Sequence, residues 1–484
     1  MRERLQLGAP GVYPVPEEPV RALTGVRMDV AAFVGVAPRG PARLPAFQAS
    51  WAVPPRGTAA PSEPLRSVAV PVESWDAYRR LFGGFEGPGL LPYSVAAFFE
   101  QGGRRAYVVR VVHDFGAGDP RNDEGTASGA LPGVARAGGD PVTLRARSEG
   151  SWGNALRATL SWRTRPVATD TSTTPSQTAL TLPLDTLLPA GTLLRLRLEG
   201  GTFALRFVTA VWDEWRADRP LRVRRATLTP PAGTTVDPVE AAKAVEGVES
   251  VEASVAVTDT ARDGVERLEL HEGLGLHPLH PRWLALALYR DSALVYPDAA
   301  WIGEELAVAD PELRAPAEPP TPQFSGGIDR YAAIERADFF DADWGPGDEL
   351  LRDGVHALVE VEDLSLVVVP DLYSPKALVE PEEEEDVTTA GAAFETCLEP
   401  APAAPPVEEG DGSDEGLDGL RLDPADPAER EEIVDRQLAV VELAEMLQSW
   451  IVLLDVPPGL HQREALEWRA RFGTAWAAAY HPWL

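Results

Sequence analysis

The chain has 484 residues, 44% of them hydrophobic, enough for two to four domains of roughly 100–200 residues each. Its 75 acidic residues outnumber 44 basic ones, and the formal charge of −31 excludes the basic footprint that nucleic-acid phosphates demand. No stretch reaches the ~20 consecutive apolar residues of a membrane span, and the single cysteine, Cys397, excludes an intramolecular disulfide framework and fits a reducing compartment.

Residues 1–27 read as an extended arm, because Pro10, Pro14, Pro16 and Pro19 remove backbone donors and forbid a helix. The apolar run Val30–Pro38 predicts a buried strand ended by proline. Ser74 is placed to cap a helix whose Trp75, Tyr78, Leu81 and Phe82 share one face, and Gly83-Gly84 stop it. A second helix through "PYSVAAFFEQ" ends at Gly102-Gly103 and feeds the apolar strand Arg104–Val112. Strand, helix, helix, strand with short glycine-closed turns predicts a layered α/β unit over 28–115.

Residues 116–320 read as a β-rich surface insertion. A Gly/Asp/Ala-rich loop to Gly139 opens it, and one helix is predicted near Pro238–Val248. In "LLRLRLEG" leucines and arginines alternate, so one face is apolar and the other solvated. After a proline-rich linker, residues 321–379 return to the α/β pattern. "GGIDRYAAIERADFF" predicts a turn and helix, and Leu364–Pro370 predicts a buried strand. "EPEEEED" (Glu380–Asp386) opens an acidic segment over 380–427 whose composition predicts a disordered linker. The final part of the core, 428–484, reads as a long helix over Ala428–Gln448, a buried strand in "WIVLLDV", and a last helix. That helix runs through "HQREALEWRARFGTAWAAAY", with Leu466, Trp468, Phe472 and Trp476 near helical spacing.

Chemistry-bearing motifs are scarce. His271, His277 and His280 lack the i, i+4 pairing of helical metal sites, and Pro278 interrupts them. They read as a loop with exposed histidines; a metal-dependent hydrolase is the enzymatic alternative. A calcium loop starting at Asp411 needs glutamate at position 422, which is Leu422. There is no phosphate loop ending in Lys-Ser/Thr and no G-x-S-x-G elbow. No catalytic, cofactor-binding or metal residue is assigned, and no cofactor is expected.

Several blocks together carry a resemblance: "PGVY" at Pro10–Tyr13, "VAAFVGVAPRGP" at Val30–Pro41, "VESWDAYRRLFGG" and "AAFFEQGGRRAYVVRV". They continue with "EGSWGNALRATL", "FSGGIDR", "VHALVEVEDLSLVVVPDL", "IVLLDVPPG" and "WRARFGTAWAAAYHPWL". In this order the chain resembles the tail sheath proteins of contractile phage tails and phage-tail-like contractile injection systems. The resemblance implies a structural subunit that stacks helically around an inner tube, stores energy at assembly and releases it on contraction. It implies a sheath-type core built from N- and C-terminal segments. The implied partners are further copies of itself, an inner tube protein, and baseplate and cap proteins, with no nucleic acid and no direct membrane insertion. Assembly is expected in the cytoplasm, as part of a phage tail or phage-tail-like particle.

On this reading the arm reaches a neighbouring subunit, and Pro10, Gly11, Val12, Tyr13, Val15 and Val20 seat on its sheet edge by strand addition. The bland alternative is a frayed terminus. In the resembled family a "YxPWL" segment leads into a tube-facing region and a C-terminal arm, whereas Leu484 is the last residue here. The expectation is an exposed end at Tyr480, Pro482, Trp483 and Leu484, with a second polypeptide supplying that region. The other possibility is a sheath-like cap, collar or baseplate-proximal component that does not contract.

Overall fold

The computed structural model describes residues 28–44, 66–113, 123–170, 173–215, 222–234, 236–260, 265, 267–308, 310–316, 323–342, 344–347, 353–376 and 416–480. Within them the chain is mixed α/β, and no helix is long and apolar enough to cross a membrane.

The central sheet draws on both ends of the sequence. β1 (Val30–Val36), β2 (Val70–Val72), α1 (Trp75–Phe82), α2 (Leu91–Glu100) and β3 (Arg105–Val111) come from the N-terminal part. β4 (Leu366–Val368), α3 (Pro427–Leu447), β5 (Ile451–Asp455), α4 (Gln462–Arg469) and β6 (Ala477–Tyr480) come from the C-terminal part. The strand order is β6-β5-β4-β1-β3-β2, with every pairing parallel except β2 to β3.

All seven residues of β1 are buried, as a parallel strand covered on both faces requires. Ala31 and Phe33 pack with Tyr78, Phe82, Leu91 and Val95 on the α1/α2 side. Ala32, Val34 and Val36 pack with Val434, Val440, Val441 and Trp468 on the α3/α4 side. Two helical layers therefore sandwich the sheet. α1 starts where expected: the Ser74 hydroxyl accepts the Ala77 N–H at 3.1 Å, and Gly83 ends the helix at φ 86°.

The insertion between β3 and β4 carries a seven-stranded antiparallel sheet and a four-stranded one. Its longest strand, Val245–Asp259, pairs with Leu156–Pro166 on one side and with Leu193–Leu198 and Arg267–Leu274 on the other. The alternation in "LLRLRLEG" holds: Leu194, Leu196 and Leu198 are buried, while Arg195 and Arg197 point away from that core.

Several expectations are corrected. The last predicted helix stops at Arg469, and Ala477–Tyr480 is a strand. The Val452 N–H donates to the Trp476 carbonyl at 2.8 Å, and this ladder outweighs the weak helix preference of three alanines. "RYAAIERADFF" forms two short 3-10 turns rather than a helix, because Ile334 and Glu335 between them and Phe340 after them take extended backbone, with Ile334 and Phe339 anchored in the core. The helix near Pro238 ends at Ala241, since a strand pairing begins at Val245. The glycine-rich loop gives way to the strand Ser128–Ala135. Of the expected acidic linker, residues 380–415 lie outside the described residues, whereas Leu417 and Leu420 are buried in the α3-side core and Arg421–Leu422 pairs with Ser374–Pro375.

Candidate functional site

Elements that are distant in sequence meet at two seams. The first lies at the C-terminal ends of β1 and β4, where the strand order changes direction. In doubly wound sheets this crevice, beside a helix N-terminus, is where anionic ligands bind. Here the chain fills it with its own carboxylate. Asp371 is 1% exposed, and its Oδ2 accepts the N–H of Val36 at 2.7 Å and of Leu91 at 3.3 Å. Its Oδ1 accepts the N–H of Leu90 at 2.5 Å.

The backbone is shaped to allow this. A Cβ at Gly35 would collide with the Asp371 carboxylate, and one at Gly89 would collide with the Val36 carbonyl. Burial pushes the Asp371 carboxyl up to about 6, against the opposing pull of the Leu90, Val36 and Leu91 N–H groups.

The second seam joins the sheet to the insertion. Arg110 of β3 is buried, and its guanidinium donates to the carbonyls of Ala37 at 2.8 Å, Gly40 at 2.9 Å and Glu149 at 3.1 Å. The Glu149 carboxylate lies 3.7 Å away. Arg39 stacks 4.1 Å over Trp152 and pairs with the buried Asp259, which also meets Arg267 at 3.3 Å. Arg267 in turn donates to the Arg79 and Arg80 carbonyls at the end of α1. Nearby, the Asn154 side chain both donates to and accepts from Gly327, and Asp329 accepts the Ser151 N–H at 2.9 Å. Blocks some 170 residues apart thus form one hydrogen-bonded layer.

Two surfaces face outward. β6 is an edge strand whose last residue, Tyr480, is 67% exposed. β2, at the opposite edge, carries Pro71, whose missing N–H blunts that side. The second surface is a run of rings. Tyr78 stacks on Trp75 at 5.1 Å, Trp75 on Phe85 at 5.2 Å, and Phe85 meets Tyr93 at 4.5 Å. The run starts at buried Tyr78 and emerges at Phe85 and Tyr93, which are 49% and 52% exposed.

Of the sequence-predicted site residues, Tyr480 lies at the open edge. Pro10, Gly11, Val12, Tyr13, Val15, Val20, Pro482, Trp483 and Leu484 lie outside the described residues, as does Cys397. The three histidines do not converge on one centre. His271 Nε2 lies 3.2 Å from Glu269, and His277 Nε2 lies 3.3 Å from Glu305. His280 accepts the Arg282 N–H at 3.1 Å. Burial pushes His277 and His280 down, toward the neutral imidazole. Among the described residues no group of three or more His, Cys, Asp or Glu side chains could hold a metal ion. No family model matches the chain, and no curated protein matches it significantly.

Sequence reasoning missed Asp371 and Arg110. "VVVPDL" does carry a signal, an acid directly after a fully apolar strand, but its partners are unreadable locally. Arg110 is likewise a charge inside the otherwise apolar run Ala106–Val111.

Proposed function

We propose that the chain is a structural subunit of a contractile sheath, laced to copies of itself around an inner tube and storing energy at assembly rather than transforming a small molecule. The supporting observation is the convergence of the sequence blocks that carry the resemblance. "VGVAP" meets "VVVPDL" through Val36 and Asp371, and "EGSWGNAL" meets "FSGGIDR" through Asn154 and Gly327. The first contact joins the two parts of the chain that flank the insertion, and the second ties an early segment of the insertion to the stretch that follows it.

The mechanics fit this role. A subunit that rotates as a rigid unit during contraction needs its body and its outward domain locked together, and buried multiply bonded arginines do that. It also needs links to its neighbours. Among the described residues β6 has no strand on its outer side and offers the row of backbone groups there to an extended segment of another chain, and the arm over 1–27 is a second link.

Deleting residues 1–25 tests the reading. The expected result is a folded monomer that forms no tubes, while the full chain forms them. Normal tubes from the shortened chain would refute the role of the arm, and a monomeric full chain turning over a substrate would refute the whole reading.

A further inference from the structure

We propose that the proline-rich stretch Pro10–Pro19 of one copy docks on the ring run Trp75–Phe85–Tyr93 of the next, as an extended polyproline-type segment rather than as an added strand. This rests on the lacing role proposed above and names the surface that receives the arm.

The receiving surface is unusual for a free exterior. Single exposed apolar residues are ordinary, but contiguous apolar patches mark interaction sites. Here Phe85 and Tyr93, each about half exposed, lie in mutual contact, and each ring of the run is held against the next. The run continues inward to Tyr78 and Phe82, both fully buried, so its geometry is set by the core. Preformed aromatic platforms of this kind take up proline-rich segments, whose fixed φ leaves little conformational entropy to lose.

The occupant follows from the chain itself. Pro10, Pro14, Pro16 and Pro19 place four prolines in ten residues, and "PEEP" over 16–19 has the P-x-x-P spacing. Those prolines lack the N–H groups that a strand ladder requires, which disfavours strand addition for this stretch. Reach is sufficient. From Pro10 to Met28 the chain extends up to ~60 Å, whereas the seven residues of β1 rise only ~23 Å. The stretch is therefore long enough to reach past its own sheet to another copy.

Crosslinking between full-length chains tests this. With Cys397→Ser in both, one chain carries Glu18→Cys and the other Ala97→Cys, an exposed position one turn beyond Tyr93. Mixing and mild oxidation should give a disulfide-linked dimer, at least fivefold more than with Leu187→Cys, an 88% exposed control in the insertion. Adding Phe85→Ala and Tyr93→Ala to the acceptor should abolish the excess, and Tyr93→Phe should retain it. Crosslinking equal to the control, or indifferent to loss of the rings, overturns the proposal. Electron microscopy of the unsubstituted protein separates the two failures. Tubes without the crosslink sink the aromatic seat alone, whereas absence of tubes sinks the sheath reading.

Discussion

The Asp371 carboxylate accepts the Val36 N–H at 2.7 Å across 335 positions of sequence. That bond, with those from Leu90 and Leu91, closes the crevice between the two halves of the parallel sheet. A site that other folds of this layout leave open for an anionic ligand is a structural joint here.

Replacing Asp371 by alanine leaves three backbone donors without their acceptor in a dry site. At ~1–3 kcal/mol for an orphaned buried group, with the effects partly overlapping, the expected loss is ~3–5 kcal/mol. Urea unfolding of Asp371→Ala against the parent measures it, and a loss under ~1 kcal/mol would show that the joint is dispensable.

The same residue predicts a pH dependence. Its folded pKa of about 6 lies above its unfolded value of ~3.9, so the folded state holds the proton more tightly. The stabilising contribution is fully present below pH ~4 and is lost as pH rises through ~6, amounting to ~3 kcal/mol. The measurement is the difference in unfolding free energy between the parent and Asp371→Asn from pH 4.5 to 7. The parent should weaken relative to the variant across that window; a constant difference contradicts the assignment.

Arg110 holds three carbonyls from two parts of the fold. Arg110→Ala removes the side-chain donor from all three carbonyls, at an expected cost of ~3–5 kcal/mol where each orphaned buried group costs ~1–3. Arg110→Lys keeps the charge but loses the forked donor geometry, and is expected to fall between. Limited proteolysis at neutral pH should cut Arg110→Ala first at the junction with the insertion. Cleavage confined to other loops argues against a seam role.

The open edge of β6 can be blocked without touching its own ladder. The Val452 N–H to Trp476 carbonyl bond sets the register, so in a parallel pairing the Ala479 N–H points away from β5. Proline is tolerated at such edge positions. Ala479→Pro should change monomer stability by ~1 kcal/mol or less while preventing tube formation, as seen by sedimentation and electron microscopy. Tubes of normal length from this variant would exclude β6 as a docking edge.

Much of the layering was legible because it depends on local patterns. "VAAFVGV", and the runs "AYVV" and "IVLL", are continuously apolar and short, the pattern of strands covered on both sides. Ser74 and Gly83 bracket α1 by cap chemistry that any sequence window contains. The outward surfaces were harder. Trp75 sits on the helix face that carries Tyr78 and Phe82, and nothing local says that its ring leads out to Phe85 and Tyr93 rather than inward. In "AWAAAY", alanine favours a helix in isolation, and only the neighbouring strand β5 turns the segment into an edge.

The sequence by itself determined which segments are apolar and where helices can start and stop, because these follow from side-chain and backbone chemistry within a few residues. The tertiary structure alone decided that Asp371 caps the sheet crevice, that Arg110 binds the insertion to the body, and that β6 is the edge of the sheet among the described residues. Asp371 meets backbone donors 280 to 335 positions away, and Arg110 meets carbonyls 39 to 73 positions away. Which donors lack acceptors at such a meeting point is a property of packing, and no local window of sequence contains it.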